Sequence, residues 1–192
     1  MNFIFDIGNV LIDFKPESFL RDLLDHEENE RKMLEVIFKS QEWIRLDAGT
    51  LTHEEACSIF CAREPQHQAL IQKVMDHIPE MLTPIEQTVA QLPKIKDHGH
   101  KLYYLSNYHT KLSAYILDKY AFFGLFDGGV FSCDVHINKP DEGIYHALLK
   151  KYDLVPQDCV FFDDSEANII AAKEIGMQGV VFTDASQIEP YI

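Results

Sequence analysis

An α/β fold with a doubly wound parallel sheet is what this sequence predicts, and three observations carry that expectation. Five short apolar runs end at polar or turn residues and read as buried strands: Phe3–Phe5, Leu102–Leu105, Gly129–Phe131, Val160–Phe162 and Gly179–Phe182. Between the later runs lie helical patterns near 84–98, 109–119, 141–152 and 166–175. Such alternation implies right-handed crossovers that cover both faces of a parallel sheet. The third observation is a gap in the strands: residues 16–81 keep helical periodicity throughout, so a helical insert interrupts the core after its first strand. The core is therefore assigned to 1–15 and 82–192, and the insert to 16–81.

Taken in order, the first strand runs into Asp6, with Gly8 and Asn9 close behind, so a buried strand ends in a carboxylate and a turn. Within the insert, Thr52-His-Glu-Glu55 reads as a capping box at a helix start. Trp43, Arg45 and the Asp47-Ala-Gly49 turn are its candidate ligand-facing features, although a lone tryptophan at helical spacing also suits a core. Thr83 followed by Pro84 predicts a helix start, a capping side chain and then proline at the first helical position. His109 sits at the start of the next helix, where an exposed imidazole is expected.

With 192 residues the chain can build one substantial core, or a core with a small inserted domain. A net charge of −14 and no Lys/Arg cluster exclude a nucleic-acid partner on charge grounds. No apolar run approaches the roughly 18–20 residues that span a bilayer. The four cysteines form no C-x-x-C pair, and the expectation is free thiols in a reducing cytoplasm. Cys57 and Cys61 lie one helical turn apart without a third ligand nearby. The oligomeric expectation is a monomer or homodimer. A chain this acidic needs a cation to handle a phosphorylated metabolite.

Ligands of open parallel sheets bind beyond the carboxyl ends of the strands. Asp6 follows the first strand; Ser106 and Asn107 follow the second. Lys139 lies in the loop after the third, and Asp163 and Asp164 follow the fourth, with Asn168 four residues beyond Asp164. A strand-end carboxylate can attack phosphorus and split a transfer into two easier steps. Two or three converging carboxylates suit Mg²⁺. A hydroxyl, an amide and an ammonium can hold the oxygens of a transferring phosphoryl group. Plainer roles exist for each: a turn aspartate at Asp6, a helix cap at Ser106-Asn107, a surface lysine at Lys139. Adjacent aspartates after an apolar strand are harder to explain that way, since a buried carboxylate needs a partner or a metal.

These stretches resemble the motifs of the haloacid dehalogenase (HAD) superfamily of aspartate-nucleophile hydrolases. FIFDIGNV is similar to its first motif, YYLSN to the second, the lysine of INKP to the third and VFFDDSEAN to the fourth, in order from residue 3 to about 170. The combination resembles the branch holding α-D-glucose-1-phosphate phosphatase and the phosphatase domain of epoxide hydrolases. The resemblance implies a Rossmann-like core with a helical type 1 cap, and a Mg²⁺-dependent phosphatase acting on a small phosphorylated metabolite such as a sugar phosphate. It makes Asp6 nucleophile and metal ligand, with the Gly8 carbonyl and Asp164 as further ligands and Asp163 acting behind them or through water. Ser106 and Asn107 would hold phosphate, and Lys139 would bridge phosphate and Asp6. Two departures stand out. Asn168 replaces the usual second acid of the fourth motif, and Gly8 stands where such phosphatases place an aspartate that protonates the leaving group. The alternatives are dehalogenation of a 2-haloacid, which needs no metal, and a non-catalytic module that binds a phosphometabolite.

Overall fold

The computed structural model describes all 192 residues. Five parallel strands form one sheet in the order β3-β2-β1-β4-β5: β1 Asn2–Phe5, β2 Lys101–Ser106, β3 Gly128–Phe131, β4 Cys159–Asp163 and β5 Gln178–Val181. The chain winds outward from β1 through β2 to β3, then returns to lay β4 on the other side of β1. That reversal leaves a crevice at the carboxyl ends of β1 and β4, the usual ligand position in such sheets. Register brings Phe5 opposite Phe162, so the next residues, Asp6 and Asp163, emerge side by side.

Alternation along β1 divides the core. Phe3 and Phe5 point to one face and join a cluster of 37 buried residues, while Ile4 points to the other and joins a cluster of 14. Burial on both faces explains the continuous apolar strands of the sequence. The smaller cluster is closed by the helices Glu142–Tyr152 and Glu166–Glu174 through residues such as Tyr145, Leu148 and Ala172.

Between β1 and β2 lie only helices up to residue 81: α1 Pro16–Leu23, α2 Glu27–Met33 with a π-type turn after it, α3 Gln41–Asp47, α4 His53–Arg63 and α5 Gln68–Met81. Their inward residues, among them Leu20, Ile37, Leu46 and Phe60, share the larger cluster with Phe5 and Phe162. The insert's apolar residues are thus continuous with the core instead of enclosing a separate one. The expected Thr52 capping box is present, with Thr52 and Glu55 each satisfying the other's backbone N–H.

Two expectations need correction. The helix expected over 84–98 is two short pieces, α6 Glu86–Val89 and α7 Leu92–Asp97, and Thr83-Pro84 caps neither. Asp13 N–H donates to the Thr83 carbonyl and Ile85 N–H to the Leu11 carbonyl, both at 2.8 Å. Those bonds hold 83–85 extended against the chain that leaves β1, and a helix cannot start until they are made. His109, expected at the surface, is only 3 % exposed. It precedes α8 (Thr110–Lys119) and meets Trp43 of α3 edge to face at 5.7 Å.

Candidate active site

Each strand end delivers one part of a single cleft at the crevice, lined by Asp6, Gly8, Asn107, Lys139, Asp164 and, from the insert, Asp47. Asp6 is 8 % exposed and receives three donors on one oxygen. Ser106 Oγ donates to Oδ1 at 2.6 Å and the Ile7 N–H at 2.7 Å, while Lys139 Nζ stands 2.9 Å from the same atom. No protein group donates to Oδ2, which is left for chemistry. Burial pushes the Asp6 carboxyl up to about 6 against the pull of Lys139 and the Ser106 hydroxyl, with Asp163 adding to the rise.

Lys139 is a buried cation with its donors committed. Its ammonium donates to the Leu105 carbonyl at 2.9 Å and to Asp163 Oδ2 at 2.6 Å as well as facing Asp6. Burial by itself would lower its pKa, but the two carboxylates outweigh it and hold the ammonium above its usual value. The Asn107 side chain clasps the same residue, accepting from the Lys139 N–H at 2.7 Å and donating to its carbonyl at 3.0 Å. Asn107 therefore ties the Lys139 loop to the end of β2, and its amide side chain is spent there.

The two neighbouring aspartates have separate environments. Asp163 is fully buried and saturated: Oδ1 accepts from the Ser165 N–H and Asn168 Nδ2, and Oδ2 from Asn168 Nδ2 and Lys139. Asn168, the departure noted in the sequence, is a donor to a carboxylate instead of a further acid. Asp164 faces solvent at the cleft and accepts only from Asn9 Nδ2 at 3.1 Å. Oxygens of Asp6, Asp163 and Asp164 lie within 4.8 Å of one another. An all-oxygen, carboxylate-rich set of this kind fits a hard divalent cation such as Mg²⁺, which keeps several waters. Saturation of Asp163 leaves Asp6 and Asp164 as the carboxylates free to ligate.

Asn9 was not among the expected site residues. It holds a left-handed backbone, φ 56°, and its carbonyl oxygen accepts from the Phe14 N–H while its amide reaches Asp164. An asparagine after glycine, tolerant of that conformation, was the available signal. Of the insert's candidate residues, Trp43 is both buried and cleft-lining, whereas Arg45 is exposed and lies outside the cleft. Asp47 lines the cleft, and burial followed by the field of Asp6 pushes its carboxyl up to about 7. The rest of that wall is Phe14, Tyr108 and Leu112.

A core loop fixes the insert over these residues. Ser132, fully buried, donates to the Asp47 carbonyl and accepts from the Tyr108 N–H. Asn138 Nδ2 donates to the Ile44 carbonyl at 2.9 Å, and His136 Nδ1 meets the Ala48 carbonyl at 3.0 Å. Gly49, at φ +64°, packs so tightly that a Cβ there would lie 2.7 Å from the Cys133 carbonyl oxygen.

Known proteins are similar to this chain in sequence or in fold. The sesquiterpene phosphatase astK of Aspergillus oryzae is 25% identical over 95% of this chain and 89% of its own length. A phosphorylated carbohydrates phosphatase of Thermotoga maritima is 38% identical over 33% of this chain and 27% of its own. Among solved structures, the HAD family enzyme bt-2542 of Bacteroides thetaiotaomicron, in complex with magnesium and inorganic phosphate, shares the fold at TM-score 0.74 and 18% identity, covering 95% of this chain and 94% of that one. The family profile of hydrolases described as haloacid dehalogenase-like matches residues 1–176, and the chain belongs to that family of hydrolases.

Proposed function

We propose that this chain is a Mg²⁺-dependent phosphatase that hydrolyses a small phosphorylated metabolite through an aspartyl-phosphate on Asp6, with sugar phosphates the first substrates to test. The observation that carries the reading is the divided carboxylate of Asp6: Oδ1 is held by Ser106, Ile7 and Lys139 while Oδ2 is undonated at the cleft. Oδ2 attacks phosphorus and the bond to the leaving oxygen breaks. Water then attacks the aspartyl-phosphate, releasing phosphate and restoring Asp6. Lys139 offsets the negative charge that the substrate brings against Asp6, the Ser106 hydroxyl fixes the nucleophile through Oδ1, and the Asn107 backbone N–H orients the phosphoryl oxygens. Asp6, Asp164 and the Gly8 carbonyl would hold Mg²⁺, with Asp163 behind them fixing Lys139. When bound, the ion supplies charge stabilisation for the transferring group. Residues 16–81 act as a cap over the site and 1–15 with 82–192 as the catalytic core.

The names of the relatives support phosphate-ester chemistry over dehalogenation, as does the acid pair after β4. No helix of the chain is long and apolar enough to cross a membrane. One observation favours a second substrate reading: Phe14, Trp43 and Leu112 make an apolar wall, which suits a prenyl-type alcohol of the kind named for the Aspergillus relative. Phosphate release from panels of sugar and isoprenoid monophosphates, with Mg²⁺ and beside Asp6→Asn, tests both. Release that Asp6→Asn and metal chelation abolish is expected. No release above that variant from any ester overturns the phosphatase reading.

A further inference from the structure

An alkoxide expelled from phosphorus needs a proton, and the cleft restricts where that proton comes from. Asp6 is the attacking group. Asp164 is held by Asn9, and Asp163 is sealed by Lys139, Asn168 and the Ser165 N–H. Gly8 has no side chain, although a Cβ there would meet nothing nearer than Phe14 Cβ at 3.8 Å, so the space beside Asp6 is open. His109 is turned toward His53, at 6.1 Å between ring centroids, and does not line the cleft. One carboxyl remains. Asp47 lines the cleft, and its carboxylate oxygens make no hydrogen bond or ion pair within the protein. A second unpartnered polar group stands on the same wall: the Tyr108 hydroxyl is buried with nothing to bond to, on a residue 6 % exposed.

Both groups are placed by the same hydroxyl. Ser132 donates to the Asp47 carbonyl and accepts from the Tyr108 N–H, so the cap residue and the core residue are registered to each other. Asp47 is also the last residue of α3, where the helix dipole disfavours a negative charge. The titratable groups facing it are Asp6, Tyr108, Lys139 and Asp164. Burial and then the field of Asp6 raise its carboxyl to about 7, which favours the protonated acid. Lys139 is the only cation lining the cleft, and it is committed to Asp6 and Asp163.

We propose that Asp47, carried on the cap, donates the proton to the leaving-group oxygen, that the Tyr108 hydroxyl hydrogen-bonds the same oxygen, and that the group expelled is an uncharged alcohol. The assignment rests on the phosphatase reading above. As Asp6 Oδ2 bonds to phosphorus, the P–O bond to the leaving group breaks and its electron pair stays on that oxygen, which takes the Asp47 proton. Asp47, now a carboxylate, accepts a proton from the water that attacks the aspartyl-phosphate. The P–O bond to Asp6 breaks, the Asp6 carboxylate returns, and Asp47 is reset.

The test is kcat/KM of wild type and Asp47→Asn with Mg²⁺ on p-nitrophenyl, phenyl and benzyl phosphates, which differ little in shape and greatly in leaving ability. General acid catalysis contributes about 10²–10⁴-fold, and a loss of that size is expected for benzyl phosphate. The loss should shrink along the series to below about tenfold for p-nitrophenyl phosphate, whose oxide leaves without a proton. A purely structural role would lower all three together, and that result, or no loss on any, overturns the assignment. Glucose 1-phosphate should be preferred over glucose 1,6-bisphosphate by at least tenfold, and equal use of the two overturns the uncharged leaving group. If wild type hydrolyses none of these esters, the phosphatase reading fails, a result separable from failure of Asp47 alone.

Discussion

Replacing Lys139 by methionine keeps most of the side-chain volume and removes the one buried cation of the site. The ammonium stands 2.9 Å from Asp6 and 2.6 Å from Asp163, with its side chain 1 % exposed. At an effective dielectric near 20 each contact carries about 6 kcal/mol of Coulomb attraction. Much of that is offset by the desolvation of the three groups in the native protein. Removing one partner forfeits the attraction but keeps the burial, and stranding charge in this way costs about 3–5 kcal/mol. The cost depends on pH. Lys139 opposes the rise of the Asp6 carboxyl, which stands at about 6 in the native protein against 3.8 for the free side chain. Without it the folded-state value moves further up, and folded protein takes up protons on acidification that unfolded chain takes up only at lower pH. The variant therefore recovers stability as pH falls from 7.5 toward 5. Urea unfolding in chelator should show a midpoint lower by about 1–2 M at pH 7.5, for slopes of 2–3 kcal/mol/M. The gap should narrow at pH 5. A midpoint loss under about 0.3 M at pH 7.5, or a gap that widens on acidification, would refute the buried triad.

Three further outcomes follow from the same geometry. Because Asp47 must be protonated, kcat/KM with Mg²⁺ should fall on the alkaline side of neutrality, and Asp47→Asn should lose that limb. Gly49→Ala should loosen the cap, because its Cβ would stand 2.7 Å from the Cys133 carbonyl oxygen at a φ of +64°. A stability loss of about 1–3 kcal/mol and a lower kcat/KM are expected, read by thermal unfolding and steady-state kinetics. Asp164→Asn, which removes the exposed acid of the carboxylate cluster, should raise the Mg²⁺ concentration for half-maximal activity at least about tenfold.

What the sequence made legible was whatever the sheet alone positions. Asp6, Ser106 and Asp163 end apolar strands, so strand recognition is enough to gather them, and Lys139 follows the third strand after one short helical turn, Ser132–Val135. The local helix signal at Thr83-Pro84 failed because Leu11 and Asp13, some seventy residues earlier, claim that backbone. His109 looked like an exposed helix start because only the packing of α3 brings Trp43 onto it. Asp47 was legible only as part of a ligand-facing turn, and Tyr108 not at all, for a related reason. Their relation to Asp6 depends on how the helical insert is seated, and that seating rests on Ser132, Asn138 and Gly49, whose long-range contacts no local pattern signals. Asn107 was read by its type and its place after a strand, and that reading missed that its amide grips the backbone of Lys139.

Hydrolysis by this route passes through a covalent bond between phosphorus and Asp6. Rapid acid quench during turnover of p-nitrophenyl phosphate with Mg²⁺, followed by mass spectrometry of the N-terminal peptide, reads it directly. One phosphoryl group is expected on Asp6, formed before phosphate is released and absent from Asp6→Asn. Phosphate release with no phosphorylated Asp6 at any quench time, or a phosphoryl group on another residue, would contradict it.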